Sequence, residues 1–392
     1  YIVTDREAGE FFLRTREASF PGMKIAEIFG VSEGPLWEQM RRNILNVNGV
    51  DHARLRSLVN PALSPRAVER YRPVMRGFLE ELLAGAREAT GESATGSSGA
   101  SVGTGGVEPA VAGEGTVRCE FVEAFAKPYP SRVIASVMGA PVEDAPRLHH
   151  WSNWIQKQFD AASMAGEREG IERAVEEFYA YAGALVEARR DDPGDDLIST
   201  LIAAADPAHQ PERLGDVECI NLVFNVLAGG VDTTQSQLAH TVRLLAEHPG
   251  QWALLRNDPT LAERAVEEAL RYEPITPFTA RIVDEELTFR DVTFPVGTIV
   301  MVCAFTANRD LEGGEEEGEA FDITAGRGGA RALTFGAGVH YCLGANLAKL
   351  ELGEALAFLA ERFTGLELDG EPEFESIMGI YGLGKLPVRL LA

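Results

Sequence analysis

The chain has 392 residues, and 36 Lys and Arg against 60 Asp and Glu leave a net charge of −24. With 45% apolar and 24% charged residues the composition is that of a folded globular protein, which excludes global disorder. The longest apolar run, Ile299 to Phe305, falls far short of the roughly 18 residues of a membrane-spanning helix, and so negative a surface opposes general binding to nucleic-acid phosphates.

In chain order, a helix is expected from about Asp51, with His52 and Arg56 one turn apart on the same face. Amphipathic text follows from Arg66 to Glu88. Between Gly91 and Gly115, 18 of 25 residues are Gly, Ser, Ala or Thr, too little apolar bulk to pack, and a flexible loop is expected. Gly170 to Arg189 reads as another helix, and a very long one runs from about Gly215 until His248-Pro249-Gly250 stops it near Glu247. Strands are expected at Leu287 to Phe289, Val292 to Phe294 and Thr298 to Val302, where β-branched and aromatic residues lie between turn residues. Asp310 to Glu319 carries six acids in ten residues and reads as a solvated loop. The fold class is therefore mainly α with a small β portion, and helical text on both sides of each loop argues for a single domain over residues 1–392.

Cys119, Cys219, Cys303 and Cys342 form no Cys-x-x-Cys pair, so neither a zinc ribbon nor a dithiol redox motif is supported. Sparse cysteines, and no signal peptide at the start, make a reducing cytoplasmic setting the expectation. The informative cysteine is the last. In Phe335-Gly336-Ala337-Gly338-Val339-His340-Tyr341-Cys342-Leu343-Gly344 three glycines allow tight turns and close approach to a large flat ligand. Helix-forming text runs from Leu343 to Leu359, which puts Cys342 at a helix N-terminus, where free N–H groups favour a thiolate and hence a soft or borderline metal. Alone, Cys342 would more commonly be a small buried hydrophobe.

This ten-residue order resembles the haem-binding signature of the cytochrome P450 family at each fixed position. The resemblance implies a haem-thiolate monooxygenase fold with haem b between a long central helix and the helix after Cys342, the axial thiolate favouring O–O cleavage. It implies Phe335, Gly336, Gly344, Gly229 and Gly230 as residues against the haem. Glu268-x-x-Arg271, 74 residues before Cys342, resembles the family's structural brace; by itself an exposed i, i+3 pair would contribute only about 0–1 kcal/mol. Either Arg327 or Arg331 would complete that brace. Gly229-Gly230-Val231-Asp232-Thr233-Thr234 resembles the oxygen-binding helix. Paired glycines inside a helix cost roughly 1 kcal/mol each and require a reason, such as a close ligand or a local opening. By the match, Asp232 and Thr233 deliver the protons that O–O cleavage consumes, Asp232 relaying from solvent. His52, Arg56, Arg281 and His340 are implied as contacts for the haem propionates.

Leu222, Val226, Ile275, Phe278, Thr279, Met378 and Ile380 fall where family members line the substrate pocket; their apolar character implies a hydrophobic small-molecule substrate, although each could be plain core. Electrons are expected from a separate ferredoxin and ferredoxin reductase, with O2 as co-substrate. Six arginines (54, 56, 66, 70, 72 and 76) against the single acid Glu69 suggest a docking face for an acidic ferredoxin, or else an ordinary solvated helix face. Two other readings remain at this stage: a peroxide-driven peroxygenase and a non-catalytic haem-thiolate module that recruits partners. The Asp232–Thr233 pair argues against both.

Overall fold

The computed structural model describes residues 1–89, 115–204, 215–326, 331–376 and 379–392. The expected Gly91–Gly115 loop lies outside these except for Gly115. The helices that position the site are α1 (Arg6–Arg14), α2 (Gly49–Val59), α3 (Arg72–Ala89), α4 (Pro128–Met138), α5 (Ala145–Gln156), α6 (Arg168–Asp191), α7 (Asp216–Gly230), α8 (Asp232–Glu247), α9 (Pro249–Asn257), α10 (Ala262–Tyr272) and α11 (Ala345–Arg362). No described helix is long and apolar enough to cross a membrane.

α8 lies at the centre. Thirteen of its sixteen residues are buried, so it has no polar face of the kind a surface helix shows. It packs against α10 and α11, which also pack on each other. α10 is sharply two-faced, burying Ala265, Val266, Ala269 and Leu270 toward this core. The expected long helix is in fact two. Val231, at φ −90° and ψ −73°, interrupts it between Gly230 and Asp232. The expected Arg66–Glu88 helix is likewise divided, with a short turn at Pro65–Val68 and a 3-10 turn at Glu69–Tyr71 before α3.

The β portion is small. A four-stranded sheet runs Ile2–Val3, Ile299–Cys303, Phe278–Val283, Ala18–Ser19, with Phe278 opposite Cys303 and Ile282 opposite Ile299 in an antiparallel pair. Leu287–Phe289 and Val292–Phe294 form the expected hairpin. Val117–Glu120, Pro387–Leu391 and Gly365–Leu368 make a second sheet, and Glu373–Phe374 pairs with Leu383–Lys385. A satellite core of Phe12, Leu13, Val283, Phe294, Val300, Val302 and Leu333 joins the first sheet to α1. The acidic run departs from a plain loop: Glu315–Glu319 forms one short helix, with Gly318 buried against the Arg309 carbonyl.

Candidate functional site

The segment leading to Cys342 is built of two 3-10 turns, Leu333–Phe335 and Gly338–His340. Gly338 has φ +72°, and a Cβ there would come within 2.5 Å of the Leu13 carbonyl of α1, so only glycine fits. The Cys342 N–H donates to Phe335 O (2.9 Å) and closes the loop. Thr334 Oγ1 donates to Leu270 O (2.5 Å), while fully buried Asn308 donates to Thr334 and accepts from the Leu333 N–H (2.7 Å). These bonds fasten the loop to α10 and fix where the cysteine sits.

α11 starts at Ala345 with Gly344 as its cap, two residues beyond Cys342 and later than the helical text suggests. The Gly344 and Ala345 N–H groups, Arg56 and Lys349 all favour the Cys342 thiolate, yet burial outweighs them and pushes the thiol up. Cys342 is half-buried, so part of its surface stays uncovered. Among the described residues no cluster of three or more His, Cys, Asp or Glu could hold a metal ion. Cys342 as a single donor fits a cofactor that brings the metal's other ligands with it.

The interrupted helix also borders open space. Gly229 is exposed between buried Ala228 and Val231, and a Cβ on it would meet nothing within 4 Å. Gly230 has the opposite reason to be glycine: a Cβ there would lie 2.4 Å from Ile134 Cδ1 of α4. Thr233 is half-buried and donates to Gly229 O (2.5 Å). Asp232 is buried, and burial raises its carboxyl above the ordinary range; Ser152 of α5 hydrogen-bonds to it.

Four basic groups converge near Cys342. His52 and His340 pack with ring centroids 4.2 Å apart, and His340 Nε2 lies 2.9 Å from Asn48 Oδ1. Burial, then the positive charges of Arg281 and Arg56 together with His52, pushes His340 down to about 3. Burial and Arg56 likewise lower His52. Arg281 is 3% exposed, donates among the described residues only to Ala280 O (2.9 Å) and is pushed down to about 10 by burial. Arg56 donates to Tyr341 O (2.6 Å). Neither arginine meets a carboxylate among the described residues. A buried unpaired cation costs several kcal/mol, so this donor set calls for an anion from outside the chain.

A half-buried thiol, a glycine facing space and a basic cluster that meets no carboxylate among the described residues together fit haem with its carboxylates. Cys342 would supply the iron ligand, and Arg56, Arg281, His52 and His340 would hold the propionates. Phe335, Gly336 and Gly344 are half-buried along the same loop.

The Glu268–Arg271 arm of the brace is formed. Arg271 Nε and Nη2 donate to Glu268 at 2.8 Å each, and Arg271 also donates to Gly318 O (2.7 Å) and Ala320 O (2.6 Å). The Asp322 N–H donates to Glu268 Oε1 (2.9 Å). Arg327 lies outside the described residues.

Leu222 and Val226 on α7 are buried in the main core, and Ile275 is buried; Phe278, Thr279 and Ile380 are half-buried. The Tyr381 N–H donates to Ile275 O (2.8 Å), bringing Ile380 beside that strand. Met378 lies outside the described residues. The arginine-rich face, by contrast, is largely neutralised: Arg54 pairs with Glu218, Arg70 with Asp195, Arg72 with Glu69 and Glu354, and Arg76 with Glu354 and Glu361. Arg66 alone of the six has no polar partner among the described residues. Unpaired cations stand elsewhere. Exposed Arg14 and Arg331 line a cavity of about 890 Å³ with Arg6, Glu10, Gly336 and Val339, on the Cys342 loop itself.

Two features of the site escape sequence reasoning. Ser152 is one; it sits on the buried arc of Leu148, Trp151 and Ile155, where a serine is out of place. Glu351 of α11 is the other. Its carboxyl is fully buried facing Thr234, without a hydrogen-bond partner of good geometry, and burial pushes it well above the ordinary range.

A family model described as Cytochrome P450 matches residues 148–389. Luteothin monooxygenase of Streptomyces thioluteus is 32% identical over 369 residues, covering 93% of this chain and 82% of its own. Erythromycin C-12 hydroxylase of Saccharopolyspora erythraea is 32% identical over 350 residues, covering 88% and 79%. Among solved structures, that of CalO2 superposes with a TM-score of 0.84 at 28% identity, covering 99% of this chain and 90% of the other.

Proposed function

The chain belongs to the cytochrome P450 family of haem-thiolate monooxygenases, and from that premise we propose that it inserts one atom of O2 into a hydrophobic small or medium organic molecule. Haem b, held by Cys342, would supply the redox chemistry of oxygen activation. The observation that carries the reading is the Arg56–Arg281–His52–His340 cluster beside the cysteine loop, buried or half-buried, which meets no carboxylate among the described residues.

Thr233 and Asp232 move protons in this reading. The Thr233 hydroxyl stands half-buried where the helix is open and hands on a proton at Oγ1. Asp232, whose burial favours the protonated carboxyl, holds the next one at its carboxyl oxygens. Relatives named luteothin monooxygenase and erythromycin C-12 hydroxylase support an organic substrate, held mainly by shape against Val226, Ile275 and Phe278. A separate acidic ferredoxin with its reductase would supply electrons, docking over the cavity with Arg14 and Arg331 rather than on the internally paired arginines of residues 54–76.

The test is an absorbance titration of the ferric protein with a panel of hydrophobic compounds, followed by turnover. A spin-state shift with one compound class and a hydroxylated or epoxidised product support the reading. Thr233→Ala must then release peroxide in place of product. A protein that takes up no haem would refute it.

A further inference from the structure

Ser152 sits in the apolar face of α5 with none of its surface exposed. Its Oγ is 2.5 Å from Asp232 Oδ2 and 3.4 Å from Leu227 O. Leu227 O belongs to the last turn of α7, where the interruption at Val231 stretches the next hydrogen bond, Val231 N to Leu227 O, to 3.3 Å. One turn further along α5, Gln156 donates to the adjacent opened carbonyl, Ala228 O. α5 therefore covers both the break in the central helix and the carboxyl that follows it.

A hydroxyl has one proton to give and two lone pairs to receive. When Asp232 is ionised, the Ser152 proton points to Oδ2. When Asp232 is protonated, its own proton goes to Ser152 Oγ, and the Ser152 proton turns to Leu227 O. No buried group is left bare in either state, which removes the penalty that otherwise resists a change of charge in the interior. We propose that Ser152 is a two-position hydrogen-bond switch, a positioning residue that lets Asp232 take up and release a proton while it stays buried.

Asn153, next to Ser152 on α5, is exposed and marks the edge where the proton exchanges with solvent. The titratable groups around Asp232 are His149 of α5, whose Nε2 lies 2.9 Å from Gln235 Oε1, and Glu375 beside the C-terminal hairpin. The inference rests on Asp232 as the proton carrier, and its test keeps the two separable.

The measurement is an infrared pH titration of the haem-loaded ferric protein, with the Asp232 carboxylic C=O band assigned by its loss in Asp232→Asn. Ser152→Ala is expected to move that band to higher wavenumber and shift its titration upward by about one pH unit, because the ionised form loses a donor. Ser152→Thr, which keeps the hydroxyl, is expected to restore both. Should Ser152→Ala not fold, Ser152→Cys, a weaker donor, must show the same shifts in smaller measure. An unmoved band and midpoint in the folded variant overturn the switch. Turnover of Asp232→Asn decides the proton-carrier reading separately: undiminished product would remove that reading whatever the infrared shows for Ser152.

Discussion

Glu268 and Arg271 of α10 face each other through two parallel hydrogen bonds of 2.8 Å with only 4% of either side chain exposed. Buried this deeply, each charge depends on the other. Replacing Glu268 by Ala is expected to destabilise the protein by about 3–5 kcal/mol, since it removes the carboxylate that pairs with buried Arg271, and Arg271→Ala should also destabilise it. Arg271→Lys keeps the charge but loses the fork that also serves Gly318 O and Ala320 O, so it should recover only part of the loss. Thermal melting of the three variants checks this; a Lys variant equal to wild type would contradict it.

Arg281 is the most isolated cation of the basic cluster. Arg281→Met, which keeps the bulk and removes the charge, should speed haem loss by roughly 10- to 100-fold, the equivalent of one charge-assisted hydrogen bond of about 1.5–3 kcal/mol. Transfer of haem to a scavenging globin measures it. A rate within a factor of two of wild type would take the propionates away from Arg281.

Glu351 gives a stability prediction with a definite sign. Its carboxyl binds a proton more tightly in the fold than in the unfolded chain, where the ordinary value is near 4.5. Stability therefore falls as pH rises above that value toward the folded pKa. Glu351→Gln carries no such proton, so its melting temperature should exceed that of wild type by a margin that widens with pH. Melting curves across acid to mildly alkaline buffers test this, and a margin constant with pH would count against it.

Charge reversal at Arg14 and Arg331 together should slow reduction by an acidic ferredoxin on the order of tenfold at low salt, while reversal at Arg72 and Arg76 should mainly lower stability. Stopped-flow reduction alongside melting separates the two. Equal reduction rates in the Arg14/Arg331 variant and wild type would move the docking face elsewhere.

Much of the site is legible in the sequence because its determinants are local. The glycines around His340 and Cys342 set backbone turns within ten residues, and Glu268 and Arg271 need only one helical turn to meet. The paired glycines at 229 and 230 rightly mark a disturbed helix, but their separate causes, open space for one and Ile134 for the other, lie nearly a hundred residues away in the chain. The arginine-rich stretch misleads for the same reason. Its charge is conspicuous against Glu69 alone, yet Glu218, Glu354 and Glu361 close over it from distant helices. Ser152 was hidden in an amphipathic repeat, where a buried hydroxyl has no signature until its acceptor 80 residues on is placed beside it.

The pairing of those arginines also shapes how partners approach. Positive charge that is cancelled within a few ångströms contributes almost nothing at a distance, so the far field is that of a chain with 24 excess negative charges. An acidic electron carrier meets repulsion first and feels Arg14 and Arg331 only inside a screening length, about 10 Å at 0.1 M salt. Added salt should therefore speed encounter before it weakens the docked complex, and the association rate should pass through a maximum in ionic strength instead of falling steadily.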